Sequence, residues 1–476
     1  MSFLPLRAAG DTALRWIGLD LAKRESQLVT LNAEGEQIAA LRFQTTRENI
    51  QLLRAELTEF DTIALEVTTN SNAITRLLQQ SPAKILTSNP IRTKMIASAK
   101  IKTDKIDARV LAELARAGYL PLVWLPDPDT EALRHLFSDR RSLVDRRTEL
   151  KNTVHSILHR NLLTYEVADL FGTSGRQWLE QLCEASDEEC DRIDRLRLRA
   201  ILIELDRLEQ HLQEVEGVIA AFVVERPNLR KQLDRLLSIP GVSLVVGAGL
   251  LAAIGDIKRF RYAKQLGSYF GLVPSTYQSG DTKARHGRIT KTGRSDARWL
   301  AVEAAEHLRK APGPLRALFQ RVSNKRGHNV AVVAVARKLA ELVWHLLTKE
   351  EDFLYQKPKR TQDKRSNVRL MARRRTGRKT PSAEPPLAKR PALYGSGLKG
   401  KQVKADIARL AAEQSEAIYQ AIVAHRQEGK DATPVLQPLG FDPTRPVSAD
   451  WQRVLEKVGE RYAELLARVP QPAITD

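Results

Sequence analysis

The chain has 476 residues, 42% hydrophobic, with 76 Lys and Arg against 57 Asp and Glu, for a formal charge of +19. Such a length allows about three domains with cores of their own, the apolar content excludes wholesale disorder, and the charge makes a polyanion the expected partner. The basicity is local: residues 1–120 carry +3, 121–229 carry −7, 230–350 carry +14, 351–356 carry −2, 357–404 carry +14 and 405–476 carry −3. No basic-then-apolar leader opens the chain, and the longest apolar stretch, Val242 to Ile254, is too short and too rich in Gly and Ala to span a bilayer, so a cytoplasmic protein with no membrane partner is expected. Cys183 and Cys190 lack a nearby His cluster and read as ordinary reduced thiols.

Residues 15 to 43 read as three strands in an antiparallel meander, RWIGLDL, SQLVTLNA and EQIAALRF, the last two separated by the Glu34-Gly35 turn. A helix from Thr46 to Phe60 follows, then a strand TIALEVT, a helix around Asn72 to Gln80, a strand KILTS, a helix from Thr103 to Ala117 and a short strand at Leu122 to Leu125. Three antiparallel strands followed by alternating helices and strands predict an α/β, ribonuclease-H-like mixed sheet over residues 1–125.

Between residues 126 and 229 the period changes. Leu198, Ile201, Leu205, Leu208, Leu212, Val215, Ile219 and Phe222 alternate spacings of three and four, which favours a coiled-coil arm, with the helix near Glu131 to Arg160 as an antiparallel partner. Residues 230–350 read as mostly helical, interrupted by an Ile239-Pro240-Gly241-Val242-Ser243 turn and by a Gly-rich basic loop. The tract 351–404, with RRRTGRK and PSAEPP, reads as a low-complexity basic linker. Two helices near Ala405 to Arg426 and Ala449 to Arg468 make a small appendage over 405–476.

Two constellations carry chemistry. Period-two alternation puts Asp20 on the face of its strand shared by Trp16 and Gly18, and Glu66 with Thr62 and Ala64, while Ile17, Leu19, Ile63, Leu65 and Val67 fill the other side. In the helix opened by KTDKIDA, ~100° per residue puts Asp107 inside an apolar arc of Ile106, Val110, Leu111 and Leu114, flanked by Asp104. Singly, Asp104 could be a helix cap, Asp107 a salt-bridged residue and Asp20 a turn-side acid. Together the four on one sheet point to a hard divalent cation, because burying an unpaired carboxylate is costly and Mg²⁺ takes carboxylate oxygens, water and phosphate.

The second constellation sets Ser279-Gly280 just before Lys283, Arg285, His286, Arg288, Lys291, Arg294 and Arg298. An SG dipeptide in a basic loop is usually a turn, but a serine attacking a phosphodiester would need such cations around its developing charge. The turn at Gly241 and Ser243 resembles a helix-hairpin-helix, whose amides grip a phosphate, and reads equally as a plain interhelical turn.

IGLDLAK, ALEVT, KTDKIDA, IPGVS and PSTYQSGDTKARHGRITKTGRSDAR resemble, in that order, the DEDD-type transposases of the insertion-sequence one-hundred-and-ten family, over about residues 15 to 350. The resemblance implies a resolvase-like N-terminal domain whose acids Asp20, Glu66, Asp104 and Asp107 bind Mg²⁺, a coiled-coil arm for assembly, and a helical transposase domain with Ser279 as nucleophile. It further implies a bacterial DNA recombinase acting on donor and target DNA, working as a homo-oligomer between dimer and tetramer and guided by a structured noncoding RNA. Lys102, Gly241, Ser243, Lys283, Arg285, Arg288, Lys291, Arg294 and Arg298 are the expected nucleic-acid contacts. A site-specific invertase, a resolvase-like nuclease using metal-bound water, and a non-catalytic nucleic-acid-binding protein stand as alternatives. No motif of the family matches the RRRTGRK tract or the final helices.

Overall fold

The computed structural model describes residues 12–96, 103–186, 189–278, 284–311, 313–353 and 355–376. The chain divides into two units, Met1–Asp127 and Pro128–Asp476.

In the first unit, β1 (Arg15–Asp20), β2 (Glu25–Leu31) and β3 (Gln37–Gln44) form the expected meander, followed by α1 (Arg47–Ala55), β4 (Asp61–Glu66), α2 (Ser71–Leu78), β5 (Lys84–Ser88), α3 (Pro90–Ile96) and α4 (Asp104–Arg116). The sheet order is β3-β2-β1-β4-β5, with β2 antiparallel to its neighbours and β1, β4 and β5 mutually parallel. The mixed sheet with flanking helices is compatible with a ribonuclease-H-like fold. The strand expected at Leu122 to Leu125 reduces to a single bridge, Ser88↔Leu122, and Val67, expected to fill the core, lies past the end of β4 and is exposed. Helix α3 is an addition to the expected elements.

Alternation divides the sheet into two faces. Ile17, Leu19, Leu28, Ile63 and Leu65 pack on Ile50 and Leu53 of α1 and Ile74 and Leu78 of α2. The opposite face gathers Trp16, Val29 and Leu31 against Ala108 and Ala112, and Ala64 against Leu111, all from α4. At the amino ends of β1 and β4, the buried Arg15 guanidinium pairs with the buried Asp61 carboxylate at 2.7 and 3.0 Å, and Thr58 donates to Asp61 from both its amide and its hydroxyl.

The second unit is largely helical: α5 (Pro128–Arg160), α6 (Thr173–Leu182), α7 (Arg192–Val224), α8 (Pro227–Leu237), α9 (Leu244–Ile254), α10 (Ala263–Tyr269), α11 (Ser295–Leu308), α12 (Pro314–Arg326), α13 (His328–Lys349) and α14 (Pro358–Thr376), with a short ribbon of β6 (Pro274–Tyr277) and β7 (Arg285–Ile289). Helices α5 and α7 run antiparallel, since Arg140 pairs with Glu216, Arg147 with Glu209 and Arg146 with Glu204. Leu198, Ile201, Leu205, Leu212 and Ile219 of the three–four seam of α7 are buried and Leu208, Val215 and Phe222 half-buried, the first half of the seam packing against Leu150, Val154 and Ile157 of α5 and Leu179 and Leu182 of α6, its second half against the core that surrounds α9.

The start of the tract expected to be a low-complexity linker is the helix α14. Thr361, Val368 and Ala372 recur at helical spacing and are buried. Lys364 Nζ donates to the Leu237 and Ile239 carbonyls at 2.9 and 2.8 Å, and Arg365 donates to the Asp234 carbonyl and to the Asp352 carboxylate. Three carbonyl acceptors at and just past the end of α8, with the Asp352 carboxylate after α13, thus give a very basic segment a docking place that composition alone does not reveal. The remaining linker and the helices expected over 405–476 lie outside the described residues. Among the described residues no helix is long and apolar enough to cross a membrane.

Candidate active site

Asp20 ends β1 and Glu66 ends β4, and the parallel register pairing Leu19 with Leu65 brings these two residues side by side at the carboxyl edge of the sheet, about 5 Å apart between backbones. Both follow residues of the α4 face, as alternation requires: Gly18 two residues before Asp20, and Ala64 two before Glu66. Gly18 is what lets α4 approach. A Cβ there would lie 1.7 Å from the Ala108 carbonyl oxygen and 2.8 Å from the Ala112 nitrogen, so only a glycine permits this contact of helix backbone on strand.

The direction of α4 follows from its other end. Arg116 donates to the Ala33 carbonyl at 3.2 Å, and the turn holding Ala33 lies beside the start of β1. The amino end of α4 therefore points to the end of β1. From Ala108, over Gly18, back to Asp104 is one helical turn, about 6 Å of rise, much the same advance as from Gly18 to Asp20 along the strand. The first turn of α4, with Asp104 and Asp107, is thus carried to the edge where Asp20 and Glu66 end.

The buried line of α4 is shifted from the expected arc. The buried residues of α4 are Ala108, Leu111 and Ala112 rather than Ile106, Val110 and Leu114, which are half-buried. On that helix Asp104 lies one turn before Ala108 and Asp107 one turn before Leu111. The physical reason is the closeness enforced at Gly18, which leaves room for alanine but not for larger aliphatic side chains. Thr103, not Asp104, is the N-cap, its hydroxyl accepting from the Ile106 amide. Asp104 is exposed; Asp20, Glu66 and Asp107 are half-buried.

Four carboxylates without a thiolate or imidazole among them form an oxygen donor set suited to a hard divalent cation. Their backbone positions share one edge. Among the described residues, however, no three such side chains close on a common point tightly enough to hold an ion.

Ser279 lies outside the described residues, as do Lys102 and Lys283. Tyr277 and Arg285, at either end of the segment containing Ser279, are register partners in the antiparallel β6–β7 pair, so the basic loop expected here is in its flanks a β-ribbon. The β-branched and aromatic residues of PSTY and the isoleucine ending RHGRI are the signal that could have revealed it. Arg285, Arg288 and Lys291 are exposed. Arg294 is engaged by Asp296 through two hydrogen bonds of 3.1 and 2.6 Å. Arg298 donates to the Phe270 and Lys291 carbonyls. Arg298 thus ties residues on either side of the ribbon to α11, while the Arg294–Asp296 pair is local to the start of α11.

At the IPGVS turn, Ser243 caps α9, accepting from the Val246 amide, and Ile239 and Val242 are fully buried. Gly241 adopts φ +81°, and a Cβ there would meet Ala304 and His307 of α11 at under 3 Å.

Comparison with known proteins covers both units. A DEDD transposase domain model of the IS110 group matches residues 17–161, and a model described as the transposase IS116/IS110/IS902 family matches 233–320. The chain is 28% identical over 373 residues to y4qE of Sinorhizobium fredii, named as a transposase, covering 71% of this chain and 90% of that one. It is 27% identical over 259 residues to the transposase for insertion sequence element IS1111A of Coxiella burnetii, covering 53% and 68%, and 23% identical over 280 residues to the pilin gene-inverting protein of Moraxella bovis, covering 57% and 74%. These matches define a transposase, an enzyme acting on DNA. The chain belongs to the DEDD-type transposases of the IS110 family, whose DEDD domain implies use of a divalent metal ion.

Proposed function

We propose that the chain moves an insertion sequence by cutting and rejoining DNA strands through a covalent serine–DNA intermediate. The Ser279 oxygen attacks a backbone phosphorus. A new O–P ester forms, the bond to the leaving deoxyribose oxygen breaks, the serine proton passes to a base and the leaving oxygen takes up a proton. Because the ester conserves the broken bond, a second deoxyribose hydroxyl can displace the serine and rejoin strands without nucleotide hydrolysis.

Asp20, Glu66, Asp104 and Asp107 would hold one or two Mg²⁺ ions, which would supply positive charge for polarising the scissile phosphate. The observation that carries this reading is the close approach of α4 at Gly18, which directs the first turn of α4 to the strand edge where the other two acids end. Arg285, Arg288 and Lys291, exposed on and after β7, supply cations for the phosphate, and Arg298 ties the residues flanking the ribbon to α11; Lys102 and Lys283 are further contacts with nucleic acid in this reading. A structured noncoding RNA selects donor and target DNA, and the α5–α7 pair acts as a coiled-coil arm assembling a dimer to tetramer. The resemblance of chain segments to a pilin gene-inverting protein supports a second reading, inversion of a DNA segment by the same chemistry.

Ser279→Ala is expected to abolish covalent protein–DNA adducts on denaturing gels while DNA binding persists; adducts that remain overturn the serine assignment. Asp104→Asn is expected to remove Mg²⁺-dependent strand exchange, and full activity in chelator overturns the metal role. Sequenced product junctions separate transposition from inversion, and sequencing of copurified RNA tests guidance.

A further inference from the structure

A cavity of about 350 Å³, room for roughly ten waters at ~30 Å³ each, opens beside the α8–α9 turn, away from the β6–β7 ribbon in sequence and built from three separate segments. Ser238, Pro240 and Gly241 form one wall, the end of α11 with His307 and Lys310 a second, and the start of α14 with Lys357, Arg360, Thr361 and Lys364 the third. Four cations line it and no carboxylate does. Lys310, Lys357 and Arg360 are exposed and make no ion pair among the described residues, whereas most arginines of this unit are matched to acids or carbonyls.

The wall is held in shape. Lys364 is fixed by the Leu237 and Ile239 carbonyls, and the glycine at 241 allows the turn to press on α11. Burial, and secondarily the nearby Arg360, pushes the Lys364 ammonium down to about 8. A rigid pocket with converging cations and no acid excludes a metal ion and an apolar ligand alike; its complement is a compact anion.

We infer that this pocket binds a phosphodiester of the DNA backbone, and that α14, beyond the residues matched by either family model, is the part of the chain that completes it. DNA is the occupant the chemistry favours, since the enzyme acts on DNA and a row of exposed Lys and Arg serves phosphate without base selection. The inference rests on the DNA-acting class of the protein and not on the serine chemistry, so loss of covalent adducts and loss of this contact are separate outcomes.

The test is the salt dependence of duplex DNA binding by the full chain. Each phosphate contact contributes about 0.9 to the slope of log K against log salt. Lys310→Gln with Arg360→Gln, both exposed and so compatible with folding, is expected to flatten the slope by about 1 with an unchanged thermal midpoint. Lys310→Arg with Arg360→Lys is expected to restore it. Arg192→Gln with Arg207→Gln, exposed on α7 and equal in charge removed, is expected to leave it unchanged. A pocket variant with the parental slope, or an α7 variant flattened equally, overturns the inference. So does calorimetric binding of inorganic phosphate that depends on Lys310 and Arg360 when the DNA slope does not, since it would mark a free-phosphate site.

Discussion

Replacing Gly18 by alanine tests the contact on which the acid-bearing edge depends. The added methyl lies 1.7 Å from the Ala108 carbonyl oxygen and 2.8 Å from the Ala112 nitrogen. Non-bonded heavy atoms settle at about 3.5 Å, so the first contact is short by nearly 2 Å, and both obstacles are helix backbone that no rotamer change can move. Helix α4 must therefore lift from the sheet. A gap of 0.5–1 Å already forfeits a quarter to a half of a dispersion contact, so Val29, Leu31 and Ala64 lose much of their packing on Ala108, Leu111 and Ala112. Overpacking alone costs about 1–3 kcal/mol, and with the lost contacts about 3 kcal/mol is expected, or roughly 10 °C in the melting midpoint of a unit of this size. Asp104 and Asp107 move with the helix by more than 1 Å, a displacement that can lower a rate by about a hundredfold. The assays are thermal melting by circular dichroism and metal-dependent DNA strand cleavage. A Gly18→Ala protein that melts and cleaves like its parent would refute the placement of α4 and the convergence built on it.

Arg15→Met leaves the buried Asp61 carboxylate without its guanidinium and is expected to cost about 3–5 kcal/mol, much of it regained in Arg15→Met/Asp61→Leu, as read by chemical denaturation. Burial opposes charge on Asp61, but hydrogen bonds from Arg15 and Thr58 outweigh it and hold the carboxyl below its ordinary value. Its contribution is therefore complete above about pH 4 and is lost as pH falls through the depressed folded value, and the double variant is expected to lack that acid-side slope. Gly217→Ala is the counterpart of Gly18→Ala: inside α7, with nothing nearer its new methyl than Arg375 Cβ at 3.8 Å, it is expected to stabilise by about 0.5–1 kcal/mol in the same melt.

Strand alternation was sufficient to place Asp20 and Glu66 on one face, because a period of two sends alternate residues of a strand to opposite faces. The three–four spacing in α7 likewise marked its buried seam. On α4 the same arithmetic, applied to the largest aliphatic residues, selected the wrong line. The face that wins is the one that fits under Gly18, and a close approach between backbones is a property of two segments ninety residues apart.

Residues 358–376 show the same division. Their composition, dense in Lys and Arg, predicts a chain without a core, and Val368 and Ala372 make only a faint stripe. What turns the segment into a docked helix is a set of acceptors elsewhere, the carbonyls of Leu237, Ile239 and Asp234 and the carboxylate of Asp352. The sequence by itself determined the strand faces, the acids, the basic segments and the family, because these are written in local periods and motifs. Tertiary structure alone decided which line of α4 meets the sheet, that Arg298 is consumed in tying the flanks of the ribbon to α11, and that cations from α11 and α14 surround the α8–α9 turn. Charge and pattern specify what a segment can bind, whereas the partner it meets depends on contacts that close only when distant segments pack.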